Sequence, residues 1–105
     1  SESIALTPAQ HTVLVALCAP LLTGSGADAV PATYAQIGRR LDRQPQYIRN
    51  VVKSTRELLA GYGVDGLVRG TDGGVGDDFR WALARWAIRS GCVQAADVER
   101  LDDRT

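Results

Sequence analysis

No apolar run in this chain approaches the roughly 20 residues that a membrane-spanning helix needs. No basic stretch leads into an apolar one, so neither a bilayer span nor a secretory signal is expected. Histidine occurs once, at His11, and cysteine only at Cys18 and Cys92, 74 positions apart. That inventory has no zinc-ligand spacing and argues against a structural disulfide, which makes a cytoplasmic setting the expectation. His11 falls in a first helical turn and is expected to be exposed, with no catalytic role. No nucleophile–base pair stands out. Asp77-Asp78 and Asp102-Asp103 are sequence neighbours that need not converge; they read as a helix start and a solvated tail. Catalysis, a bound metal and a small-molecule cofactor are therefore not expected. The net charge of zero argues against a binder that takes any polyanion.

What is present fits one domain over residues 1–105, because a chain of this length with 45% hydrophobic residues supports a modest core. Its charges are segregated. Between residues 33 and 56, Arg39, Arg40, Arg43, Arg49, Lys53 and Arg56 stand against Asp42 alone, a local balance of +5 that the rest of the chain cancels. Asp97, Glu99, Asp102 and Asp103 crowd near the end. Clustering of this kind gives a positive field on a neutral molecule.

That basic stretch also carries the clearest local pattern. Thr33 followed by Gln36 is a capping box, Asp42-Arg43-Gln44 reads as a turn, and Pro45 suits the first turn of a second helix. Two helices joined by so short a turn form a helix-turn-helix, whose second helix lies in the DNA major groove. At 100° per residue, Ile48, Val51, Val52, Thr55, Leu58 and Leu59 share one side of that helix. Gln46, Arg49, Asn50, Lys53 and Arg56 share the other. An amide, an asparagine and three cations hold the donors that base edges and phosphates require, though a solvated helix face has the same composition. The helix should run to about Ala60 and stop at Gly61, with Gly63 behind it.

On either side of this unit the pattern is helical as well. Thr7-Pro8-Ala9-Gln10 is a second capping box. Leu14, Leu17, Cys18 and Leu21 form a core-facing stripe, and Pro20 should kink or end that helix near its last turn. Ala35 and Gly38 are small contact points where helices approach closely. Residues 64–78, rich in glycine and aspartate, read as an irregular connector or as a wing hairpin pairing residues 67–69 with those near Val75. A last long helix follows. Phe79, Ala82, Leu83 and Trp86 form its core stripe, while Trp81, Ala84 and Ile88 form a second apolar stripe that wants another partner. Val93, Val98 and Leu101 would alternatively fold back as a short covering helix.

The order of these signals resembles the LuxR/GerE-type helix-turn-helix domain. Leu6-Thr7-Pro8-Ala9-Gln10 with Val13-Leu14 looks like its opening, and residues 35–41 are similar to its second helix. Ile48-Arg49-Asn50-Val51 falls at its recognition helix, Gly63-Val64 at that helix's end, and residues 79–88 look like its fourth helix. The similarity spans roughly residues 6–92 and is closest to actinobacterial versions with a longer first loop, found in larger regulatory or signalling proteins. It implies a four-helix bundle that binds duplex DNA, often as a dimer through the last helix, and carries Arg49 and Asn50 over as groove-facing.

The expected fold is thus a small all-α helix-turn-helix bundle of four main helices with its core over 6–92. Residues 93–105 would be an acidic tail or a short fifth helix, and a winged-helix variant is the alternative. The expected function is DNA binding, with Gln46, Arg49, Asn50 and Lys53 toward bases and Thr33, Arg39, Arg40, Arg43 and Arg56 toward phosphates. The alternative is a protein-interaction or oligomerisation adaptor that does not read DNA, pairing through Trp81, Ala84 and Ile88 with a second copy or a neighbouring domain. Zero net charge and Val51 in place of a polar residue motivate it.

Overall fold

A computed structural model describes residues 5–24, 29–64 and 78–103, with the side chains in those ranges apart from those of residues 78, 79, 102 and 103. Five helices follow one another: α1 (Pro8–Thr23), α2 (Tyr34–Leu41), α3 (Pro45–Gly61), α4 (Asp78–Arg89) and α5 (Ala95–Asp103). No strand occurs among the described residues, and the fold is an all-α bundle. The segment proposed for a wing, residues 67–69 and Val75, lies outside the described residues.

Helix α1 is the hub. Thr7 caps it as expected: its hydroxyl accepts the Gln10 N–H at 3.1 Å, and its own N–H donates to Gln10 Oε1 at 3.0 Å. The expected stripe gives way to an unbroken buried run from Val13 to Ala19. A helix buried on every side must have neighbours on every side, and α2, α3, α4 and α5 all pack on α1. The helix also continues through Pro20 to Thr23, where Thr23 Oγ1 donates to the Ala19 carbonyl at 2.8 Å. Proline here removes one bond from the final turn without ending it.

Helix α5 supplies the cover that a four-helix reading lacks. Val93 and Val98 are buried, so the core extends beyond residue 92. Asp97 caps this helix by accepting the Gln94 N–H at 2.8 Å and Arg100 Nη2 at 2.6 Å. Burial alone would raise the Asp97 carboxyl, but these two donors outweigh it and hold the group below the usual carboxylate range. His11, expected to be exposed, is half-buried: its Nε2 donates to the Cys92 carbonyl at 2.9 Å and ties α1 to the start of α5. Cys18 is a buried free thiol, pushed up to about 12 by burial and by neighbouring Cys92.

Helix α4 is rotated from the expected register. Leu83, Ala84 and Ala87 are buried, Trp86, Ala82 and Ile88 are half-buried, and Trp81 is 40% exposed. Small residues win the core side because α4 comes close to α1, with Cys18 Sγ 3.8 Å from the Ala84 carbonyl. The Phe79 side chain lies outside those described. Arg80 is half-buried, and its Nη1 donates to the carbonyls of Pro31 at 3.2 Å and Ala32 at 3.1 Å.

The turn between α2 and α3 rests on Gly38. Asp42 takes the left-handed conformation at φ 58°, and the Arg43 N–H donates to the Gly38 carbonyl at 2.8 Å. The chain then folds so tightly over α2 that a Cβ at position 38 would sit 2.6 Å from the Arg43 carbonyl oxygen. Backbone cannot rotate away as a side-chain tip can. Alanine would gain about 1 kcal/mol in helix propensity, but the overpacking cost of about 1–3 kcal/mol should outweigh it. Gly38→Ala is therefore expected to lower the thermal midpoint, by up to about 8 °C for a net cost of about 2 kcal/mol. An unchanged or raised midpoint in differential scanning calorimetry would show that this close approach is not required.

Candidate nucleic-acid interface

Helix α2 has only eight residues, a length that does not hold a helix in water unaided. Caps at both ends and the buried Ile37 and Gly38 fix it in place. Thr33 Oγ1 accepts the Gln36 N–H at 3.1 Å, and the residue is exposed. Three residues separate the end of α2 at Leu41 from the start of α3 at Pro45, with Gln44 in extended backbone.

Helix α3 divides by face as its sequence implies. Ile48, Val51, Val52, Thr55 and Leu59 are buried, while Leu58 is half-buried at the margin. Thr55 satisfies its hydroxyl by donating to the Val51 carbonyl at 2.8 Å. Gln46, Arg49, Asn50 and Lys53 are all exposed, and Arg56 is half-buried on the flank. Helical rotation puts Gln46, Asn50 and Lys53 along the middle of the outward side, a stripe about 10 Å long at 1.5 Å per residue. Gln46 Nε2 donates to Asn50 Oδ1 at 3.1 Å within that stripe.

The arginines are sorted by two tyrosines that sequence reasoning passed over. The Arg49 guanidinium lies over the Tyr34 ring, 6.0 Å from its centroid, and is drawn to the α2 side of the stripe. The Arg43 guanidinium lies over Tyr47 at 5.3 Å. At such exposed positions each ring attracts its guanidinium by about 0.5–1 kcal/mol. Arg43 and Tyr47 are four residues apart, a spacing that could have flagged their pairing. Tyr34 and Arg49 meet only through the turn, and no local pattern announces them.

The other cations do not all converge. Arg39 borders a cleft beside the turn with Gly38, Gln44 and Tyr47. Arg40, its neighbour, borders a different groove toward Pro8, Ala9 and Leu101. Adjacent helical residues point 100° apart, and here that separates two arginines that a charge count lumps together. Glu57 is exposed and lies on the same outward stripe as Gln46, Asn50 and Lys53, an acid that the reading of this face as basic leaves out.

The α4 stripe proposed as a partner surface is only partly available. Ala84 is completely buried within the chain and cannot meet a partner. Trp81 and half-buried Ile88 remain, seven residues apart on one side with exposed Arg85 between them.

Among the described residues no group of three metal-ligating side chains gathers, and no helix is long and apolar enough to cross a membrane. Comparison of the chain with protein-family models, with curated proteins and with solved structures gave no match.

Because Arg49 and Lys53 are exposed and away from the core, replacing both by alanine is expected to leave stability within about 0.5 kcal/mol per substitution. In a urea titration the unfolding free energy of the double variant should stay within about 1 kcal/mol of wild type. A larger loss would mark these cations as parts of the scaffold.

Proposed function

We propose that this domain binds duplex DNA, with α3 in the major groove. Gln46, Asn50 and Lys53 would face base edges from the middle of the stripe, and Arg49 would enter from its α2 side. Thr33, Arg39, Arg43 and Arg56 would engage flanking phosphates, with Arg40 at the periphery. The observation that carries this reading is the outward face of α3. It is uncovered by the rest of the described chain and holds hydrogen-bonding side chains with two cations. Two more arginines flank it on α2 and the turn. A donor-rich face next to guanidinium groups suits phosphates and base edges together. The resemblance to LuxR/GerE-type domains points the same way and suggests a transcription-regulatory or signalling role.

Binding should depend on salt. If about six phosphates are neutralised, the log–log slope of affinity against salt concentration should be about −5. Arg49→Ala with Lys53→Ala should reduce affinity for random duplex at least tenfold in an electrophoretic mobility assay at low salt. Unchanged affinity in that variant, or no wild-type binding, would count against the proposal.

A second reading, a protein-interaction adaptor, is favoured by the exposure of Trp81. A large aromatic left 40% accessible beside Arg85 is the composition of an interface centre. On that reading the wild type sediments as a dimer in analytical ultracentrifugation and Trp81→Glu as a monomer. A wild type that stays monomeric removes self-association and leaves the DNA proposal untouched.

A further inference from the structure

We infer that Gln46 and Asn50 act as one adenine-reading unit; the inference rests on the DNA proposal and deepens it to a base preference. The two residues lie one helical turn apart on the middle of the outward stripe and are exposed. Gln46 Nε2 donates to Asn50 Oδ1 at 3.1 Å. That bond consumes a hydrogen of one amide and a lone pair of the other. It leaves Gln46 with Oε1 as an acceptor and one N–H, and Asn50 with both Nδ2 hydrogens as donors.

In the major groove adenine presents the N7 acceptor next to the N6 donor. The pair matches it, with Asn50 Nδ2 donating to N7 and Gln46 Oε1 accepting from N6. Guanine offers two acceptors, O6 and N7, which amide N–H groups can meet but which leave the Gln46 oxygen without a partner. Thymine offers one acceptor and a methyl group, and cytosine one donor. Of the four bases only adenine sets a donor beside an acceptor, and so uses the Gln46 oxygen and an Asn50 N–H together.

The match does not depend on which way the amides are turned. If both reverse, Asn50 Nδ2 donates to Gln46 Oε1, and one acceptor and one donor again face outward. The intramolecular bond also removes rotamer freedom before DNA arrives, so less ordering is left to be done on binding. Arg49 does not compete for the central position, because its guanidinium is drawn aside over Tyr34. Lys53, a turn further on, is a point charge without a paired acceptor and does not distinguish adenine in this way.

An amide pair four residues apart also stabilises a helix on its own account, so the test must read base identity. Duplexes selected by the full chain from a random pool at low salt should share one invariant adenine. Replacing that base by 7-deazaadenine, which lacks the N7 acceptor, should weaken wild-type binding about tenfold. Asn50→Ala should bind the parent duplex more weakly and be indifferent to the replacement. Asn50→Arg should shift the selected base to guanine, whose O6 and N7 suit a guanidinium. Circular dichroism of each variant should match wild type, since both side chains are exposed. Binding without an invariant adenine, or an Asn50→Ala protein that keeps the full 7-deazaadenine penalty, would overturn the adenine unit and leave DNA binding standing. Absence of wild-type binding to any duplex at low salt would overturn both.

Discussion

The structure depends on the burial of α1 from every side. Seven consecutive residues from Val13 to Ala19 are removed from water, and none of them is charged. Each fully buried leucine or valine there contributes about 1.5–3 kcal/mol of transfer free energy, which is realised only if all four other helices close around it. The polar residues of α1 are pushed to its ends, where Gln10 and His11 bind other elements. Gln10 Nε2 reaches Ser54 Oγ on α3 at 3.2 Å, and His11 reaches the Cys92 carbonyl. With α1 at the centre, α2 and α3 are held by one side only, and their other side faces solvent.

Local chemistry makes much of this legible without coordinates. Both capping boxes, the proline that opens α3, the turn at Asp42 and the glycine at Gly63 involve groups within a few residues of one another. Their signals survive any tertiary arrangement. The buried face of α3 is equally plain, since branched residues recur at helical spacing against a polar side. The register of α4 is not. A hydrophobicity pattern weights Trp86 and Phe79 above Ala84 and Ala87, whereas close helix packing rewards the smaller side chains. The all-round burial of α1 is hidden for a related reason: Val93, Val98 and Leu101 suggest a short covering helix, but nothing local says that it packs on α1 rather than over the apolar stripe of α4. The Arg80 bonds to Pro31 and Ala32 span some fifty positions, and nothing local encodes them.

Charge placement follows from the same architecture. A neutral chain with an uncharged hub distributes its ions over the outer helices, and the order of elements concentrates the cations on α2, the turn and α3. Concentration is not convergence, however. Arg40 looks toward α1, Glu57 sits among the outward polar residues, and two arginines are pinned on tyrosine rings. The positive charge of residues 33–56 is therefore spread over more than one side of the bundle.

Arg80 gives the bundle a mechanical link. Its guanidinium holds the two carbonyls just ahead of Thr33, while the Ala32 N–H is bound to the Leu17 carbonyl at 3.0 Å. The strand of chain that launches α2 is therefore gripped between α1 and α4, and α4 cannot be displaced without loosening it. Trp81, the next residue, is 40% exposed. An exposed indole and the clamp on the segment that enters α2 are thus consecutive residues of one helix.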